Sequence, residues 1–153
     1  MLKLSKKVDY GLILVSDLYH GPHAANAREM AERHGLPQPM VANILKALSA
    51  AGILMSTRGA LGGYALSRDV RRISLADLVT ALEGPFSLLD CTGDDASCEY
   101  QSGCPTHNPI QRVHQRFQQF MAALTLDEVL DRGLADLPLR FGAAAPLEKG
   151  RPQ

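Results

Sequence analysis

At 153 residues, 46% hydrophobic and 21% charged, the chain has material for one compact core with an extension rather than two independent domains. Its zero formal net charge is segregated, with ten Lys and Arg against five acids in residues 1–72 and six against eleven in residues 73–153. A basic module that meets a polyanion, joined to an acidic regulatory part, has this distribution, and three cysteines make a secreted disulfide framework a poor fit, so the cytoplasm is expected.

Residues 3–27, "KLSKKVDYGLILVSDLYHGPHAANA", carry lysines, an apolar run and small residues in signal-peptide order. However, Asp9 and Asp17 bracket the run, and Val8, Leu12, Val15 and Tyr19 recur at helical spacing, which predicts an amphipathic helix instead. No apolar run reaches the length of a membrane span, and no membrane partner is expected. Asn26 with Glu29 three places on predicts a capped helix over "AREMAERHG", which Gly35 closes. After the stiff turn "LPQP", Val41, Ile44, Leu45 and Leu48 form the apolar stripe of another helix, so the pair is a helix-turn-helix candidate. Residues Ile53 to Thr57 and Tyr64 to Ser67, joined through Gly59, Gly62 and Gly63, predict a β-hairpin. A hairpin directly after a helix-turn-helix is the layout of a winged helix.

With the second helix's stripe facing inward, Gln38, Pro39, Met40, Ala42, Asn43 and Lys46 are the candidate DNA-reading residues. An amide can contact adenine at two points, a lysine can reach guanine or phosphate, and an alanine can touch a thymine methyl. Arg58 at the wing suits a minor groove or a phosphate. Lys3, Ser5, Lys6 and Lys7, at the start of the first helix, suit the DNA backbone.

Ser74 with Asp77 predicts a capped helix over "LADLVTALEG", whose Leu75, Leu78 and Leu82 pack on the core. All three cysteines then fall in one polar loop: six residues separate Cys91 from Cys98, five separate Cys98 from Cys104, and His107 follows. Thiolates so spaced can surround a soft metal centre. The spacing favours an iron-sulfur cluster over zinc, which prefers C-x2-C pairs, and redox or inert thiols are the third possibility. Asn108 is the expected cap of the next helix, with Pro109 at its first position. Along it Ile110, Val113, Phe117, Phe120 and Leu124 recur every 3.5 residues, which fits either packing on the core or pairing with the same helix of a second chain. His114 falls off that stripe and is expected at the surface. Thr125 and Glu128 predict one more capped helix, and residues 134–153 read as disordered.

Five stretches, "LSKKVDYGL", "RGALGGYALSRD", "ISLADLVTALEG", the three-cysteine loop and "LTLDEVL", carry a family likeness over residues 1 to about 133. The chain resembles the winged-helix iron-sulfur regulators that include IscR and NsrR, most closely the SUF-system assembly regulators. The resemblance implies a mainly α fold with a small β-hairpin: a winged helix-turn-helix over 1–85, a cluster loop over 86–107, a dimerisation helix and following short helix over 108–133, and a tail over 134–153. It further implies a cytoplasmic homodimer on double-stranded DNA at a palindromic operator, with no small-molecule substrate, in which Cys91, Cys98 and Cys104 ligate a cluster whose state sets DNA affinity. In the IscR-like pattern His107 would be the fourth ligand, of a [2Fe-2S] centre; in the NsrR-like pattern Asp9 of the partner chain would be, of a [4Fe-4S] centre. The gap from Cys91 to Cys98 is one residue longer than in IscR. Two other functions are a nitric-oxide or redox sensor on the same fold and a small iron-sulfur electron carrier. No Gly-rich nucleotide loop and no nucleophile with a paired base suggests an enzyme.

Overall fold

Ser5 opens the first helix, α1 (Lys6–His20), its hydroxyl accepting the Val8 amide at 3.3 Å. The computed structural model describes residues 4–59, 62–89, 91–92, 98–99 and 103–131; Lys3 and the expected tail lie outside the described residues. Helix α1 buries Val8, Gly11, Leu14, Val15 and Leu18, while Leu12 and Tyr19 are half-buried. The buried face is therefore broader than the predicted stripe, because α1 packs on α3, α4 and the hairpin at once. Gly11 lets this happen: a Cβ there would stand 2.5 Å from a methyl of Leu82.

The helix-turn-helix forms as expected. Helix α2 (Ala27–His34) has both arms of its Asn26–Glu29 capping box and ends on Gly35 at φ 62°, a left-handed conformation that glycine adopts without strain. Helix α3 (Gln38–Ala50) follows Pro37 and seats Val41, Ile44, Leu45 and Leu48 fully in the core. Strands β1 (Leu54–Thr57) and β2 (Gly63–Leu66) then pair antiparallel, with Leu54 opposite Leu66 and Thr57 opposite Gly63. Each strand differs by one residue from its predicted span. Tyr64 also exchanges two backbone hydrogen bonds with Ala25, at 2.8 and 3.1 Å, so the segment before α2 joins the hairpin as a short third rung. A winged helix-turn-helix, mainly α with a two-stranded hairpin, is thus the observed architecture.

After a 3-10 turn at Val70–Arg72 comes α4 (Leu75–Glu83), with its Ser74–Asp77 capping box in place. Helix α5 (His107–Ala123) and α6 (Leu126–Leu130) complete the described chain. The junction of α5 and α6 is pinned beside the start of α4: Leu75 N donates to Leu124 O and Leu126 N to Ile73 O, both at 2.8 Å. Leu126 and Leu130 belong to the same hydrophobic core as the winged helix. Around them, the Tyr19 hydroxyl donates to Asp127 at 2.7 Å, which holds the Tyr19 pKa above its ordinary value, and Arg71 approaches the same carboxylate at 3.6 Å.

Leu126→Ala should therefore cost about 2–5 kcal/mol, the range for truncating a fully buried leucine. Urea unfolding of the winged-helix core should register that loss, and a midpoint unchanged from wild type would show α6 to be a detachable appendage.

Candidate functional site

Each candidate DNA-reading side chain on α3 other than Ala42 is exposed: Gln38, Pro39, Met40, Asn43 and Lys46. Ala42 is half-buried. The inward stripe and this outward set divide the helix cleanly, so α3 presents amide and ammonium groups on one open face. Arg58 is exposed at the end of β1. On α1, Lys6 is exposed, whereas two neighbours are engaged within the protein. The Ser5 hydroxyl donates to Glu83 at 2.7 Å, and the Lys7 ammonium donates to the Leu82 carbonyl. A cation on the last carbonyls of α4 also complements the helix dipole. On α2, Arg33 pairs with Asp17, a carboxylate only 9% exposed, and His34 lies 3.2 Å from the same group. That pairing offsets the Arg33 charge with the Asp17 carboxylate.

The second candidate site surrounds the start of α5. This helix begins at His107, one residue before the expected cap, and no side chain caps it. The cause is the tight turn before it, where the His107 amide donates to the Cys104 carbonyl at 3.3 Å. Pro109 still fits, because the first helical amides have no intrahelical acceptor to lose. Cys104 and His107 therefore share one turn. The Thr106 hydroxyl lies 3.2 Å from Cys104 Sγ and, with the backbone amides of Thr106 and His107, holds the thiol pKa below its ordinary value against the opposing effect of burial. The imidazole Nδ1 of His107 is buried without a hydrogen-bond partner.

One turn further along, Gln111 Nε2 donates to the Cys91 carbonyl at 2.6 Å, which attaches the start of the cysteine loop to α5. Thr92 is buried and knots the preceding residues, its hydroxyl oxygen accepting from the Leu88 and Leu89 amides and its proton directed to the Leu89 carbonyl at 2.8 Å. His114, expected at the surface, is instead 3% exposed and stacks on Phe86 with ring centroids 5.7 Å apart and planes 6° from parallel. The segment that follows α4 folds back over α5 and covers it. Sequence reading singled out His107 but missed Gln111 and the burial of His114, although the signal was there: the three stand four and three residues apart, on one helical face.

The adjoining face carries the 3.5-residue stripe. Val113, Phe117 and Phe120 are 43%, 38% and 47% exposed, and Ile110 and Leu124 are half-buried. Packing on the chain's own core is therefore not what covers this stripe. Asp9 is exposed in the first turn of α1, where the positive helix terminus favours an acid.

All three thiols are free and partly accessible. Thiolates and imidazole are the donors that a soft iron-sulfur centre takes, and an unpartnered Nδ1 beside Cys104 is a ligand-competent atom, so the donor set fits such a group. Among the described residues, no three His, Cys, Asp or Glu side chains already converge on one point. Residues 93–97 and 100–102, which connect the cysteines, lie outside the described residues.

Comparison with known proteins places this arrangement. The profile of Rrf2, described as an iron-dependent transcriptional regulator, matches residues 4–132. The transcriptional regulator CymR of Bacillus subtilis is 31% identical over 114 residues, covering 73% of this chain and 83% of CymR. Its structure, that of the global cysteine regulator of B. subtilis, superposes with a TM-score of 0.64 at 26% identity, covering 89% of this chain and all of that one. The structure of T. potens IscR gives a TM-score of 0.60 at 28% identity over 84% of this chain and 86% of that one. A winged helix, an exposed polar face on α3 and a profile match over most of the chain agree, and the chain belongs to the Rrf2 family of transcriptional regulators.

Proposed function

We propose that the chain is a DNA-binding regulator, not an enzyme, whose operator affinity follows the state of an iron-sulfur cluster, and that it governs iron-sulfur assembly genes of the SUF type in the cytoplasm. The observation that carries this reading is the gathering at the start of α5. Cys104 and an unpartnered His107 share one turn, and Gln111 holds the backbone of Cys91 on the next. The likeness to T. potens IscR and the iron-dependent description of the family support it.

Cys91, Cys98, Cys104 and His107 would hold a [2Fe-2S] centre; the alternative fourth ligand, the partner subunit's Asp9, would go with [4Fe-4S]. When bound, such a centre supplies a redox-labile cross-link among these side chains. The chain's own residues carry the consequence to DNA. Residues 84–89 leave α4 directly, and Ser5 and Lys7 fasten the first turn of α1 to Glu83 and Leu82. A change in how that segment sits therefore bears on the end of α1 that carries Lys6. Val113, Phe117 and Phe120 would meet their counterparts in a second copy and set the spacing of two α3 helices on a palindromic operator.

A second reading has its own support: the Cys104 thiol, its pKa lowered by Thr106, suits direct thiol or nitric-oxide sensing without a cluster, and CymR is a cysteine regulator.

The visible spectrum of anaerobically purified protein, with iron and sulfide counts, decides between them. A coloured protein whose spectrum shifts in His107→Ala and not in Asp9→Ala is expected; a colourless protein after anaerobic reconstitution would leave thiol sensing. On DNA, Asn43→Ala should weaken operator binding by about 1–3 kcal/mol and relax base preference at one position. Lys6→Ala should instead weaken all sequences alike and reduce the salt slope by roughly 0.9; titrations at several salt concentrations separate the two. Phe117→Glu should shift the protein toward monomer in sedimentation while leaving its helical circular dichroism intact.

A further inference from the structure

The face of α5 turned toward the protein body is polar over its first two turns, which is unusual for a helix that packs on a core. His107 and Gln111 are half-buried and His114 is buried, with apolar burial resuming at Met121. Two of these side chains engage the same short segment. Gln111 Nε2 donates to the Cys91 carbonyl at 2.6 Å, and the His114 ring lies flat against Phe86. Between those two contacts, the Thr92 hydroxyl ties Leu88 and Leu89 into a closed turn that also meets Ser87 Oγ at 3.0 Å. Residues 86–89 and 91–92 thus behave as one preformed unit, held on α5 at its near end by a ring stack and at its far end by one hydrogen bond.

We infer that Gln111 is a positioning residue for Cys91: its side-chain amide fixes the backbone from which the Cys91 thiol projects, while the His114–Phe86 stack holds the segment in register. The inference rests on the reading of the cysteine loop as a ligand site, and adds to it a residue that is not itself a ligand. An amide suits this role because it donates to a carbonyl and carries no charge toward neighbouring thiolates. Cys104 is seated independently, by the turn into α5 and by Thr106. Loss of the Gln111 bond should therefore free one cysteine and leave another as it was, which a general loosening of the fold would not do.

The test uses the full-length, metal-free, reduced chain. Each cysteine's rate of alkylation by iodoacetamide is followed by peptide mass spectrometry, in wild type and in Gln111→Met, which keeps the length of the side chain and removes its donors. The expected result is a rise in the Cys91 rate of about two- to tenfold, the factor that loss of one hydrogen bond gives, with the Cys104 rate unchanged. Gln111→Leu, similar in bulk, uncharged and without a donor, should also accelerate Cys91 relative to Cys104. Equal Cys91 rates in all three proteins, or an equal rise at Cys91 and Cys104, would overturn the assignment. Because these rates need no bound iron, a protein that never takes up a cluster would overturn the cluster reading while the two rates still decide the role of Gln111.

Discussion

The two backbone hydrogen bonds that join Leu124 and Leu126 to Ile73 and Leu75 fix the rest of the molecule. They bring the chain back, after α5, to the start of α4, so that Leu126 and Leu130 complete a core begun by α1, α3 and α4. Without that return α5 would be a projecting arm with one attachment. With it, both ends of α5 are held: the far end by this short ladder, the near end by the segment that follows α4. The helix is thereby held along the body, and its Val113, Phe117 and Phe120 stand partly exposed on the face beside the packed one.

Several acids are engaged by neighbours within the fold: Asp17 with Arg33 and His34, Asp127 with Tyr19 and Arg71, Glu32 with Arg28. The Arg28–Glu32 pair is exposed and adds little stability by itself, whereas Asp17 is largely buried beneath Arg33 and His34.

Local chemistry was legible in the sequence. The capping boxes at Asn26, Ser74 and Thr125 involve residues three apart, and all three form as read. The inward stripe of α3 was legible because one helical period fixes it. Where a distant segment decides the outcome, sequence reading failed. His114 looked like a surface residue because it lies off the apolar stripe, yet it is buried and stacked on Phe86, which comes from the segment after α4. The start of α5 was misplaced because Asn108 and Pro109 are good local signals, overruled by the turn that joins Cys104 to His107. Gln111 went unnoticed for the same reason: its partner is twenty residues earlier in the chain.

The inverted polarity of α5 has a mechanical consequence. Helices that pack through leucines resist displacement, because any slip exposes oil to water and opens voids. Over its first two turns α5 meets the segment after α4 through the Gln111 amide and the His114–Phe86 stack, contacts that water can replace at modest cost. Its far end, by contrast, is clamped by Leu126 and the backbone ladder. The helix is therefore stiffly hinged at one end and compliant at the other, and the compliant end is the one that carries Cys104 and His107.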